Sequence, residues 1–119
     1  MNDLVQLAIE RRDEVVIARL TGELDVAGAP SMRDRISESV PTTARGLVVD
    51  FSRLDFIDSS GVAMLFALAR RLGGRRQQLR VVVPRGGPVA RVLEIVEFGR
   101  AAPVHGELDE ALAGFDQRG

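Results

Sequence analysis

The chain predicts an α/β fold: a small, mixed and mostly parallel sheet of four to five strands with about four helices. Two observations carry this. Short runs of β-branched and aliphatic residues alternate with stretches whose apolar residues recur every three or four positions. The first two strand-like runs are separated only by a turn, too short for a crossover, so the sheet begins as an antiparallel hairpin and continues as strand–helix units. At 119 residues the chain suits one domain, spanning 1–119, with one modest core.

Residues 4–9 and 14–20 read as the hairpin strands, with Arg11-Arg12-Asp13 between them. In the second strand Val15 and Ile17 share one face with Arg19, while Val16, Ala18 and Leu20 share the other, so both faces are buried. Thr21-Gly22-Glu23-Leu24-Asp25 leads into a helix over 29–40, where Ala29, Met32, Ile36 and Val40 form the apolar stripe and Pro30 occupies the first turn. Residues 46–51 make a central strand. A second helix runs over 60–72 and stops at Gly73-Gly74. Residues 79–83 form a fourth strand ended by Pro84, and Pro88 opens a third helix reaching Glu97. A short strand over 103–105 and a last helix over 107–115 complete the order.

Composition excludes several classes of function. There is no cysteine, and His105 is the single histidine, so thiolate and histidine-built metal or catalytic sites are not expected. Net charge is −1, against a general nucleic-acid binder. No apolar run reaches membrane-spanning length, and the first residues lack the pattern of a signal peptide. The expectation is a cytoplasmic, cofactor-free domain without membrane insertion. All 16 basic residues are arginine, and seven fall between Ser59 and Leu93, where no acid occurs. They decorate a helix end, where cations suit the dipole, or form a basic docking or phosphate-contacting patch.

The chemistry concentrates in Val48-Val49-Asp50-Phe51-Ser52-Arg53-Leu54-Asp55-Phe56-Ile57-Asp58-Ser59-Ser60-Gly61. Asp50, Asp55 and Asp58 read as a turn acid, a surface acid and a helix cap, or as an oxygen-rich Mg²⁺ site. Phospho-accepting receiver domains share the length and the alternation, but they rely on a lysine and an early acidic pair that this chain lacks. A serine hydrolase is disfavoured: Ser59 lacks the preceding glycine of a nucleophile elbow, and only His105 could act as base. Asp58-Ser59-Ser60-Gly61 remains, as a plain cap or as a regulatory serine on a helix N-terminus, where free N–H groups accept an oxygen or a phosphate. Met64 and Leu68, off the main stripe of their helix, belong to a wide buried face or to an exposed docking strip.

Thr21-Gly22-Glu23-Leu24-Asp25 and Phe56-Ile57-Asp58-Ser59-Ser60-Gly61, in this order and spacing, resemble the STAS domains, and among them the stand-alone bacterial anti-sigma factor antagonists. The resemblance covers essentially the whole chain. It implies a non-enzymatic protein that binds an anti-sigma factor, itself a serine kinase of the GHKL type, and thereby frees a sigma factor. It implies phosphorylation of Ser59, with Ser60 as second choice, and reversal by a PP2C-type phosphatase. Asp25, Asp58, Ser60, Gly61, Met64 and Leu68 are the expected partner-binding residues. The chain departs from a common family pattern at Gly61-Val62-Ala63, where many members carry a second glycine. Relatives that dock on lipid or anion transporters give the alternative reading, a non-phosphorylated STAS subunit. A nucleotide-binding module, supported only by the arginines from Arg70 to Arg91, is a third.

Overall fold

A computed structural model describes residues 4–116; the outermost three residues at each end of the expected 1–119 domain lie outside the described residues. The elements are β1 (Val5–Arg12), β2 (Val15–Leu24), α1 (Ala29–Ser39), β3 (Gly46–Ile57), α2 (Ser59–Gly74), β4 (Gln78–Val82), α3 (Pro88–Ile95), β5 (Val104–His105) and α4 (Leu108–Ala113), with 3₁₀ turns after α3 and α4. The five strands lie in sequence order across the sheet. β1 and β2 are antiparallel, and every later pair is parallel. The expected mixed, mostly parallel sheet is therefore what forms.

Strand order explains the layering. Right-handed crossovers that step repeatedly in one direction place their helices on the same side of a sheet. α1, α2 and α3 accordingly pack on one face, over Val16, Ala18, Leu20, Leu47, Val49 and Val81. The other face is covered only in part, by α4 and the turn after it, whose Ala111 and Phe115 bury Val15, Ile17, Val48 and Val82. The two-sided burial expected of β2 follows from these two cores.

β2 and β3 run further than the sequence suggests, to Leu24 and Ile57 rather than to residues 20 and 51. From the pair Arg19↔Asp50 to Thr21↔Arg53, β3 advances three residues (50 to 53) while β2 advances two (19 to 21). From Gly22↔Leu54 to Glu23↔Phe56 it again gains one. Each extra residue flips the phase of the strand, so Phe51, Leu54 and Ile57 all enter the main core at three-residue spacing. That spacing hides a strand from any search for alternation.

Asp50 is consequently not a turn acid. It lies within β3, 2% exposed, on the sheet face that carries α4. Its Oδ1 accepts from the Ser52 backbone N–H at 2.9 Å, across the first bulge, and its Oδ2 accepts from Arg19 Nε at 3.1 Å. Further along that face the Arg80 guanidinium stacks on Phe115, 5.3 Å from the ring centroid, and its Nη1 stands 3.2 Å from His105 Nε2. Burial, then the Arg80 charge, holds His105 below its ordinary pKa, so the imidazole is neutral and accepts the Arg80 proton donor. Arg85 adds to that depression, and Glu110 opposes it.

At the end of α2 the left-handed residue is Arg76 (φ 59°) rather than Gly73 or Gly74, so the helix runs two residues beyond the expected Leu72. The Gln77 N–H returns to Leu72 O at 2.9 Å and closes the helix. Gln77 Nε2 donates to Pro41 O and Ala44 O, tying this corner to the loop between α1 and β3.

Replacing Asp50 by Ala leaves the bulge N–H of Ser52 without an acceptor and Arg19 with only Glu10, at 3.8 Å; urea unfolding is expected to show a loss of about 1–2 kcal/mol. For His105 the sign follows from its lowered folded-state pKa. The unfolded chain takes up a proton near 6.5 and the folded chain only at lower pH. This part of the stability is complete above that value and declines as pH falls through the folded-state pKa. Melting temperatures of His105→Gln are expected to lack this part of the acid-side decline.

Candidate functional site

The β2–β3 ladder ends with Leu24↔Ile57, and the Asp58 N–H donates to Leu24 O at 3.2 Å. Asp25 and Asp58-Ser59 thus leave the sheet side by side, at the carboxyl ends of two parallel strands. Asp25 Oδ1 accepts from the N–H groups of Ala27 and Gly28, at 3.0 and 3.4 Å, and shapes the turn into α1.

Asp58 is the N-cap of α2. Its Oδ1 accepts from Ser60 N–H at 2.9 Å and Gly61 N–H at 3.2 Å, and its backbone O accepts from Val62 N–H at 3.0 Å. Capping by the aspartate leaves Ser59 as the first helical residue, exposed, with no hydrogen bond from its hydroxyl among the described residues. Ser60 is half-buried. Neither serine is the cap that the sequence left open. The same geometry corrects the idea of a ready phosphate cradle: the N–H groups of Ser60 and Gly61 already belong to Asp58. A phosphate on Ser59 would project into solvent beside a carboxylate.

Three expected partner contacts move into the interior. Met64 and Leu68 are 3% and 0% exposed and belong to the main core, so α2 presents no apolar strip through them. Helix α2 is instead rotated so that Val62, Phe66 and Ala69 are the partly buried residues of its apolar face. Gly61 is also buried, and a Cβ there would stand 2.5 Å from Ile57 Cγ1 and 3.0 Å from Leu24 Cδ2. Its role in the fold is close approach of helix and sheet. Sequence reasoning missed Val26 and Phe56, which flank the two aspartates and are 69% and 46% exposed. Phe56 was concealed by the second bulge, which turns it away from the core; an apolar residue between Asp25 and Ala27 in a turn was a usable signal for Val26.

Other candidate chemistry does not assemble. No cluster of three or more potential metal ligands occurs among the described residues. The arginines from Arg70 to Arg91 do not converge: Arg70, Arg71, Arg75 and Arg76 sit at the end of α2, Arg80 lies under α4, Arg85 pairs with Glu110 at 3.4 Å, and Arg91 is on α3. A cleft of about 480 Å³ between α3 and β5 shares no residue with the serine site. No helix among the described residues is long and apolar enough to cross a membrane.

The family model for the STAS domain matches residues 6–111. The chain belongs to the STAS domain family. It is 30% identical over 115 residues to the anti-sigma-F factor antagonist RsfA of Mycobacterium tuberculosis, covering 95% of this chain and 89% of that protein. The crystal structure of an anti-sigma factor antagonist from Mycobacterium paratuberculosis superposes with a TM-score of 0.85 at 26% identity, covering 95% of both chains. SpoIIAA, an anti-sigma factor antagonist, superposes in its unphosphorylated form with a TM-score of 0.73 at 25% identity, covering 95% of this chain and all (100%) of that one. In its phosphorylated form this Bacillus cell fate determinant gives 0.68 at 26% identity, covering 92% and 98%.

Because Asp58 and not Ser59 holds the helix N-terminus, Asp58→Ala is expected to lower unfolding free energy by about 1 kcal/mol. Ser59→Ala should change it by less than about 0.5 kcal/mol. Chemical denaturation of the two variants in parallel checks the assignment; a larger loss for Ser59→Ala would make the serine the cap.

Proposed function

We propose that this chain is an anti-sigma factor antagonist: it binds an anti-sigma factor that is a GHKL-type serine kinase, and phosphorylation of Ser59 ends the complex. The observation that carries the reading is the exposed, unbonded Ser59 hydroxyl on a helix N-terminus that Asp58 already caps. A modifying enzyme reaches that oxygen without breaking a hydrogen bond or opening the core. Similarity to RsfA and to SpoIIAA, the latter known in both phosphorylation states, supports the same direction.

The switch is local. A phosphate adds about −1.5 to −2 charges and three acceptor oxygens. Here it stands beside Asp58 and near Asp25, with the neighbouring helix N–H groups already occupied. A partner surface fitted to the serine then meets bulk and charge that it must desolvate. That weakens a complementary interface by several kcal/mol, enough to turn binding off from a nanomolar starting point. Val26 and Phe56 supply the exposed apolar surface beside the serine, while Asp25 and Ser60 complete the polar contact. A PP2C-type phosphatase restores the binding form, and Ser60, half-buried and bonded to Asp58 through its N–H, is the poorer acceptor.

A pull-down from native lysate with Ser59→Ala and Ser59→Asp baits, read by mass spectrometry, tests this. Retention of a GHKL-type kinase by the alanine form and its loss from the aspartate form is the expected outcome. Equal retention of membrane-transporter subunits by both forms would replace the reading with a transporter-docking role.

A further inference from the structure

Charge is segregated along α2. Asp58 caps its N-terminal end, Asp25 leaves the neighbouring strand beside it and Asp55 precedes it on β3, while the helix itself holds no acid and its C-terminal end gathers Arg70, Arg71, Arg75 and Arg76, all exposed. None of these four arginines forms an ion pair among the described residues. A helix of 16 residues is ~24 Å long at about 1.5 Å per residue, so the two poles lie more than a Debye length apart. Each acts on its own part of an approaching surface.

Two clefts of about 320 and 370 Å³ run between α1 and α2 and share Arg33 and Ala67 in their walls. The one that includes Ser60 is floored by Ala63 and Ala67 and edged by Arg33 and Arg70, with no acid. The other brings in Arg71 with Asp34 and Glu38. Arg33 is partly neutralised by Asp34 at 3.2 Å and Glu38 lines the same cleft as Arg71, so the positive charge of the groove is strongest at Arg70, in the cleft that includes Ser60 and no acid, with Arg71 next to it. Small alanine side chains keep the groove open directly beside Ser60.

This pattern selects the kind of partner. A nucleic acid or an anionic membrane is negative throughout; seated on Arg70 and Arg71 and extended along α2, it would be repelled by Asp25, Asp55 and Asp58. A protein surface can carry acids at one end and none at the other. We propose that the α1–α2 groove seats an acidic element of the partner that reads Ser59, with carboxylates opposite Arg70 and Arg71 and no anionic group opposite Asp25 and Asp58. This rests on the antagonist reading above and adds the orientation in which the partner docks. The arginine pole attracts and aligns the acidic element before close contact, so its main effect is on the rate of association.

The test uses the kinase retained by the Ser59→Ala protein, purified and measured by surface plasmon resonance at low and high ionic strength. Arg70→Glu/Arg71→Glu in the Ser59→Ala background is expected to slow association at least ~10-fold at low salt, with the difference shrinking at high salt. Arg91→Glu, on α3 and away from the groove, serves as the charge-matched control and should have a much smaller effect. Circular dichroism confirms that these exposed substitutions leave the fold intact. Association rates unchanged by the double reversal, or lowered as much by Arg91→Glu, would overturn the proposal while leaving the antagonist reading in place. So would binding of the unreversed Ser59→Ala protein to phosphatidylserine vesicles that the double reversal abolishes, since the arginine pole would then serve a membrane. If no kinase is retained by the Ser59→Ala protein, the antagonist reading itself fails, and this proposal with it.

Discussion

Between Arg19↔Asp50 and Leu24↔Ile57, β3 advances seven residues (50 to 57) while β2 advances five (19 to 24), and the surplus is absorbed as two bulges. Both bulges are held by burial: Phe51, Leu54 and Ile57 each return to the main core, and Asp50 fastens the first to Arg19 and to Ser52 N–H. The consequence is positional. Without the two extra residues Asp58 and Ser59 would not leave the sheet next to Asp25, and α2 would start with a different face toward the core. The position of the serine thus depends on a ladder whose central part lies under the helices.

At the helix start, one carboxylate takes the structural task of the cap and leaves the serine beside it free. Helix N-termini need an acceptor for their unpaired N–H groups, and a serine or threonine often supplies it. Here Asp58 supplies it, so the adjacent hydroxyl is relieved of a structural task. Gly61 completes the arrangement by letting α2 approach Ile57 and Leu24 more closely than any larger residue would allow. A capped and closely packed helix end presents Ser59 at the carboxyl edge of the sheet. A phosphate on that exposed hydroxyl would change surface charge and shape and leave the core contacts alone.

The sheet's two faces are stabilised differently. Three helices bury one face in aliphatic contact, while the other combines a small apolar cluster around Phe115 with polar pairs, Arg19 with Asp50 and Arg80 with His105. The partly covered face tolerates charge because the buried Asp50 carboxylate has both oxygens bonded, to Ser52 N–H and to Arg19, whose own side chain stays partly exposed. The helical face carries its charged residues on the outer surfaces of α1 and α2.

Much of the molecule was legible from the residues. Aliphatic runs and three-to-four spacing specified every helix and strand in order, because burial of one face imposes those periods locally. Asp-Ser-Ser-Gly at a strand–helix junction marked the site, because capping chemistry is also local. The tertiary structure alone decided the rest. It extended β2 and β3 through bulges that break alternation, placed Asp50 inside the sheet, and turned Met64 and Leu68 inward while exposing Phe56. These outcomes depend on the register between strands far apart in sequence and on the rotation of a helix with apolar residues on more than one side. No local pattern encodes either, since both are chosen by whichever packing buries the most apolar surface without stranding a polar group.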